Sequence, residues 1–306
     1  MTISCPRSRS TLPCLAAALL LPALGVAQEV IGTHEKVPLD SPEGWAMAYM
    51  IASSLNLSQL PPESVAPGDV RFAVEAGSIP RLNEDQQRVG FGGFKAEDLN
   101  KSPAFGRARV GIGLPWEVML ELAWTPPLEI DGARPEGLWG VALSRPLLSV
   151  RDWRLGLRAF AQQGEVSADV TCSADVAAQT PGSAGNPLSC LEPSNDILAM
   201  DHYGAELILS RDERGQPWQP YLSVASTRLD PFTEVNALVL GVVDRSTIDS
   251  EGTTTTFSVG VGYRLGQRWR VTLATSYTPF DVQRPAGNPG GQDNFWNLRL
   301  GLSWDL

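Results

Sequence analysis

Phe295-Trp-Asn-Leu-Arg-Leu-Gly-Leu-Ser-Trp-Asp-Leu306 alternates without a break. Trp296, Leu298, Leu300, Leu302, Trp304 and Leu306 fall on one face of an extended strand; Phe295, Asn297, Arg299, Gly301, Ser303 and Asp305 fall on the other. Successive side chains of a strand point to opposite faces, so period two separates the sets completely. An apolar stripe bounded by two Trp and backed by small and polar residues suits a strand with lipid on one side and a polar interior on the other.

The same pattern occurs nine more times upstream. Period-two reading places strands at about 69–79, 105–114, 116–124, 137–146, 152–163, 201–210, 218–228, 254–265 and 268–279. On the polar face they carry Arg71, Glu75, Arg107, Arg109, Glu117, Glu121, Arg154, Arg158, Glu206, Arg264 and Arg270, to which the last strand adds Arg299 and Asp305. The expected interior thus holds eight Arg against five acids.

The connections alternate. Leu114-Pro115-Trp116, 147–151, 211–217 and Gly266-Gln267 are short, whereas 80–104, 125–136, 164–200, 229–253 and 280–293 are long and rich in turn residues such as Gly287-Asn-Pro-Gly-Gly. Short turns on one side, long loops on the other and an even strand count are the topology of a closed membrane barrel. It puts both chain ends at the short-turn side, which is the periplasm in that topology.

Residues 1–27 read as a Sec-type secretory signal, with Arg7 and Arg9, an apolar run from Leu12 to Leu24, and Gly25-Val26-Ala27 before Gln28. No later stretch has the ~18 apolar residues of a transmembrane helix. The remaining way across a bilayer is a closed barrel. Without the signal the chain carries 22 basic and 34 acidic side chains, a net charge of −12 that speaks against nucleic acid as a partner. Two cysteines remain, Cys172 and Cys190, in an exported chain, and read as one disulfide within a Lys/Arg-free acidic loop.

Residues 28–68 form a separate, non-alternating segment. Ser41-Pro42-Glu43 supplies a capping hydroxyl, a Pro at the first helical position and an acid at the positive end of the dipole. The helix is expected to run to about Leu57, apolar nearly all round, before Pro61-Pro62 ends it. Two places are open to it: the periplasmic mouth, which it would block further, or the barrel interior as a plug.

A soluble sandwich also alternates, but two features argue against it. Trp116, Trp153, Trp218, Tyr263, Trp269 and Trp304 lie at the turn side of the apolar face, and Trp124, Trp139, Tyr203, Tyr277 and Trp296 at the loop side. Two belts of amphipathic rings match two membrane interfaces. A sandwich interior, moreover, has no means of burying eight Arg.

Residues 69–306 therefore resemble a bacterial outer-membrane β-barrel, and the final strand is similar to the assembly signal of that class, with Leu306 where the class usually has Phe. The resemblance implies an all-β, transmembrane antiparallel barrel of about ten strands in the outer membrane of a Gram-negative bacterium. Outer-membrane lipid and lipopolysaccharide would surround it, and the barrel-assembly machinery would be its partner during biogenesis. In strand count it resembles the omptin surface proteases, which use an Asp-His pair facing two acids. Asp201-His202 stands at the outer end of the sixth strand, but no Asp-x-Asp opposes it. The His-x-Ser of outer-membrane lipid deacylases is absent at both His, and no cofactor or metal motif is visible. The leading expectation is a structural or surface-interaction barrel with a narrow, largely closed lumen. A narrow porin-like path for anions or small solutes and a rim hydrolase using His202 are the alternatives.

Overall fold

The computed structural model describes residues 28–63, 65–213, 215–285 and 291–306. Residues 1–27, expected to be a secretory signal and containing Cys5 and Cys14, lie outside the described residues, as do Gly287–Gly290 of the last long loop.

Ten antiparallel strands close into one barrel. They are β1 (Val70–Ser78), β2 (Ala104–Leu114), β3 (Val118–Trp124), β4 (Arg134–Val150) and β5 (Trp153–Ala168), followed by β6 (His202–Arg211), β7 (Trp218–Leu229), β8 (Gly252–Leu265), β9 (Trp269–Thr278) and β10 (Phe295–Asp305). Each pairs with its sequence neighbours, and β10 returns to β1 with Asp305 opposite Arg71. Closure leaves no free edge within the wall.

Burial is inverted relative to a water-soluble protein. Along β10, Trp296, Leu298, Leu300 and Leu302 are exposed while Phe295, Asn297, Arg299, Gly301 and Ser303 are buried. The exposed rings meet across strands in two bands. Trp218 meets Tyr263 and Trp269 stacks on Trp304 near the short turns; Trp124 meets Trp139 and Tyr277 meets Trp296 near the long loops. Trp153 and Tyr203 are exposed beside these bands.

The third strand begins two residues later than its sequence pattern suggests. Leu114 pairs with Val118, so Pro115-Trp116-Glu117 is the turn itself. Trp116 and Glu117 both have positive φ (64° and 58°), and in such a turn side chains do not alternate. Trp116 is therefore an exposed turn residue. Glu117, expected inside, points to solvent.

β4 and β5, with 17 and 16 residues, exceed the ~9–11 that a tilted transmembrane strand needs. Their outer ends continue into a cap built from the long loops. Asp196–Ala199 pairs with the end of β5 and with Phe232–Glu234, which pairs with Thr247–Asp249. The segment 235–243 forms a small hairpin above the barrel, Ala237–Val239 against Val242–Asp244. The first described residues add to this cap: Val30–Ile31 and His34–Lys36 run parallel to 243–249.

Cys172 and Cys190 are bonded across 18 residues, with Cα atoms 5.8 Å apart. They are buried with Ala237 and Val239 in a small core of the cap, remote from the barrel wall. The cross-link is expected to stabilise that loop by ~3 kcal/mol while the barrel folds without it. A Cys172→Ser/Cys190→Ser variant should keep its heat-dependent electrophoretic mobility and lose protease resistance only within 170–200. Loss of barrel folding would contradict this.

Candidate functional site: a chain threaded through the lumen

Helix α1 spans Pro42–Ser53, with the Ser41 hydroxyl accepting the Gly44 N–H as its cap. It is apolar on nearly every side and correspondingly buried, packing on Leu138, Phe160, Leu229, Phe280 and Phe295. Leu138, Phe160, Leu229 and Phe295 lie toward the loop ends of their strands, and Phe280 follows the loop end of β9. The helix thus closes the long-loop mouth, on the side opposite to the periplasmic, short-turn mouth that is one of its two expected places. Its end at Ser53, rather than near Leu57, has a cause within the barrel: inward Arg side chains take the next carbonyls.

From Ser54 the chain descends through the lumen in extended form and leaves at the short-turn end, where it enters β1. Arg107 donates to Ser54 O at 2.5 Å, Arg299 to Leu55 O at 2.7 Å and Arg109 to Leu57 O at 3.1 Å. Arg158 donates to Asn56 O, and Arg109 also holds Asn56 Oδ1 at 3.0 Å. Glu206 accepts the Ser58 N–H at 2.8 Å, and the Tyr221 hydroxyl donates to Gln59 O at 3.2 Å. Within the segment the Leu57 N–H bonds Leu55 O and the Ser58 hydroxyl bonds Leu60 O, and the wall supplies partners for the other buried carbonyls. Arg suits the task, with five donors in a rigid fork.

The cations form two clusters. In the upper, Glu75 has a fully buried side chain and meets Arg109, Arg299 (3.1 Å) and Arg107 (3.8 Å). Glu121 binds Arg109 and Arg158 at 2.6 and 2.7 Å, with Glu206 3.9 Å from Arg158. In the lower, Arg71 bonds Asp305, and Glu63 of the threaded segment gathers Arg71, Arg270 and Arg264 at 2.9, 3.0 and 3.5 Å. Asp212 takes Arg154 and Arg264. Every one of the eight Arg has an acid within 4 Å. Glu63 and Asp212 were not among the acids the alternation singles out, because one precedes the first strand and the other sits in a turn.

Small inward residues make the room. A Cβ on Gly156 would fall 2.6 Å from the Pro62 ring, and one on Gly140 would fall 2.7 Å from Asn56 Nδ2. Glycines facing the lumen of a narrow barrel are thus the sequence signal for a guest chain.

His202 belongs to the same assembly. Its Nδ1 lies 3.0 Å from Met200 O and its Nε2 accepts the Asn56 N–H at 3.2 Å. Both ring nitrogens are thereby engaged. Asp201 turns away, accepting the Gly164 N–H, and no ion pair to His202 exists among the described residues.

The threading separates the first described residues from the last strand's end. Residues 30–36 are in the cap and Leu306 is at the short turns. Residues 30–36 and Leu306 therefore lie on opposite sides of the lumen, which is at odds with the expectation that the segment from residue 28 begins on the short-turn side.

A closed ten-strand barrel with an apolar, aromatic-belted exterior and a charged interior is a transmembrane barrel of the bacterial outer-membrane class. No protein-family model matches the chain, nor does any curated protein sequence. Solved structures of similar shape are outer-membrane barrels. The Escherichia coli outer membrane protease OmpT is 11% identical and matches over 78% of this chain and 94% of its own, with a TM-score of 0.39. The N-terminal barrel of Pseudomonas aeruginosa OprF gives 10%, 78% and 99%, with a TM-score of 0.28. The attachment invasion locus protein Ail of Yersinia pestis gives 7%, 79% and 100%, with a TM-score of 0.28.

Proposed function

We propose that this protein is an integral outer-membrane barrel held shut by its own N-terminal segment, its role being structural or one of surface interaction through the loop cap. The observation that carries the reading is the run of Arg–carbonyl bonds from Arg107, Arg299, Arg158 and Arg109 to residues 54–57. A guest chain bonded along the lining leaves little open polar path for ions. Surrounding lipid and lipopolysaccharide, and the assembly machinery during biogenesis, are the partners such a protein requires. The hydrolase alternative is not pursued, since His202 is spent on Asn56 and Met200.

The test is planar-bilayer recording of the purified, heat-modifiable protein. The resting chain should show no steady conductance at moderate voltage. A stable open pore in the untreated protein would overturn the proposal, as would its recovery as a soluble periplasmic protein without heat modification.

A further inference from the structure

The lumen wall holds its guest mostly by groups that any peptide has. Over six consecutive residues it bonds the carbonyls of Ser54, Leu55, Asn56, Leu57 and Gln59 and the N–H groups of Asn56 and Ser58. The partners come from five strands, β2, β5, β6, β7 and β10, so the main chain is gripped from several sides at once. Donors and acceptors on the wall alternate in a fixed order, and a peptide run in the opposite direction would not meet them.

Two side chains add identity to this track. Asn56 Oδ1 takes Arg109 at 3.0 Å and Arg158 at 3.3 Å, and its Nδ2 donates to Ala161 O at 3.4 Å. Seven residues on, Glu63 draws Arg71, Arg270 and Arg264 together at the short-turn end. Pro61 and Pro62 stand between the two anchors and favour an extended approach to the second.

The room for the guest is built into the wall. Besides Gly140 against Asn56 and Gly156 against Pro62, a Cβ on Gly301 would fall 2.9 Å from Gln59 Oε1 and one on Gly262 would fall 3.3 Å from Leu60 Cδ2. Four strands thus give up a side chain, each beside a different residue of the guest. Gly weakens a strand interior, and its use there marks a close approach by a ligand or another backbone. The guest is joined to β1 by the short linker that follows Glu63, of which residues 66–69 are exposed.

We infer that the lumen is a peptide-binding channel and that residues 54–63 are its resident ligand. The ligand class is an extended peptide with its N-terminal end toward the cap, carrying Asn and, seven positions later, Glu. Main-chain bonds give direction and most of the affinity; the two side chains give register. A segment of another chain with this pattern competes for the same track once the resident one is withdrawn. The inference rests on the reading of the segment as the lumen's closure and goes beyond it: a plug need only fill space, whereas a ligand leaves and rebinds.

The experiment uses the full chain in phosphatidylcholine nanodiscs, which leave both mouths open to solution, with a specific protease site inserted between Pro67 and Gly68. After cleavage, sub-denaturing urea washes out the fragment that ends at Pro67, and heat-dependent mobility shows that the barrel is retained. Fluorescein-labelled synthetic peptides of residues 52–63 are then added, and anisotropy reads their binding. The native peptide should bind saturably. Methylation of its Asn56 and Ser58 amide nitrogens, which keeps every side chain, should weaken binding about tenfold, as two hydrogen bonds are lost. Glu63→Gln in the peptide should also cost about tenfold, as bonds to charged partners are weakened. Leu55→Met with Leu57→Met should stay within about threefold, since shape and apolarity are kept. The same residues in reverse order should not bind. Native and reversed peptides binding alike would mean adsorption to apolar surface and overturn the inference, as would indifference to amide methylation or an emptied barrel that binds no peptide. A fragment that leaves only when the barrel unfolds would be a fixed part of the wall and would overturn it too. Steady conductance of the uncut protein would sink the closure reading alone, whatever the peptides do.

Discussion

Glu75→Gln is expected to destabilise the barrel by about 3–5 kcal/mol, the largest effect of any single substitution in the lumen. The side chain is wholly buried and serves as counter-ion to Arg109, Arg299 and Arg107 together. Those three guanidinium groups are themselves almost fully buried and hold the carbonyls of residues 54, 55 and 57. Gln preserves the shape and removes the charge, leaving three cations without it in a confined space. Removing one partner of a buried pair costs far more than the pair contributes, because the orphaned charge stays desolvated. Urea unfolding in lipid vesicles, read by tryptophan fluorescence, measures the loss. Glu117→Gln, in an exposed turn, should leave the midpoint unmoved. A shift at Glu117 equal to that at Glu75 would show that the upper Arg cluster is not what anchors the threaded chain.

The contrast between these two glutamates marks what alternation reveals and what it conceals. All ten strands are visible in the chain because each has one face to lipid, which imposes period two over its whole length. Arg299 and Glu75 could be assigned inward from position alone. Glu117 could not: the pattern runs through Pro115-Trp116-Glu117 unbroken, and only the positive φ values of the turn break it. The segment Ser54-Leu-Asn-Leu-Ser-Gln-Leu-Pro-Pro-Glu63 was silent for another reason. It is held mainly by its backbone carbonyls, which every residue possesses, and its two anchoring side chains, Asn56 and Glu63, follow no periodicity that would place them in the lumen. The trace lies in the wall instead, in more Arg than acids and in inward glycines such as Gly140 and Gly156. Paired closure by side chains accounts for part of the excess. Glu63 and four backbone carbonyls account for the rest.

Removing the threaded segment should turn a silent protein into an anion-selective pore. A chain lacking residues 28–63 retains all ten strands but loses Glu63 and the whole occupant of the lumen. Eight Arg then face Glu75, Glu121, Glu206, Asp212 and Asp305, an excess of three positive charges along a slim path. Ten strands enclose little more than the eight whose interior side chains fill completely, so the unit conductance should be small. The rim of positive charge nonetheless selects the permeant sign. The intact chain offers a second route to the same state: sub-denaturing urea should release the segment before the closed sheet, because its hold depends on bonds to the wall rather than on a hydrogen-bonded ladder of its own. Reversal potentials under a potassium chloride gradient report the selectivity of both preparations. Agreement on a small anion-selective conductance, absent from the untreated protein, would establish the segment as the barrier. Cation selectivity, or a lumen that stays closed in both, would mean that Arg side chains collapse onto the wall acids and seal the barrel without it.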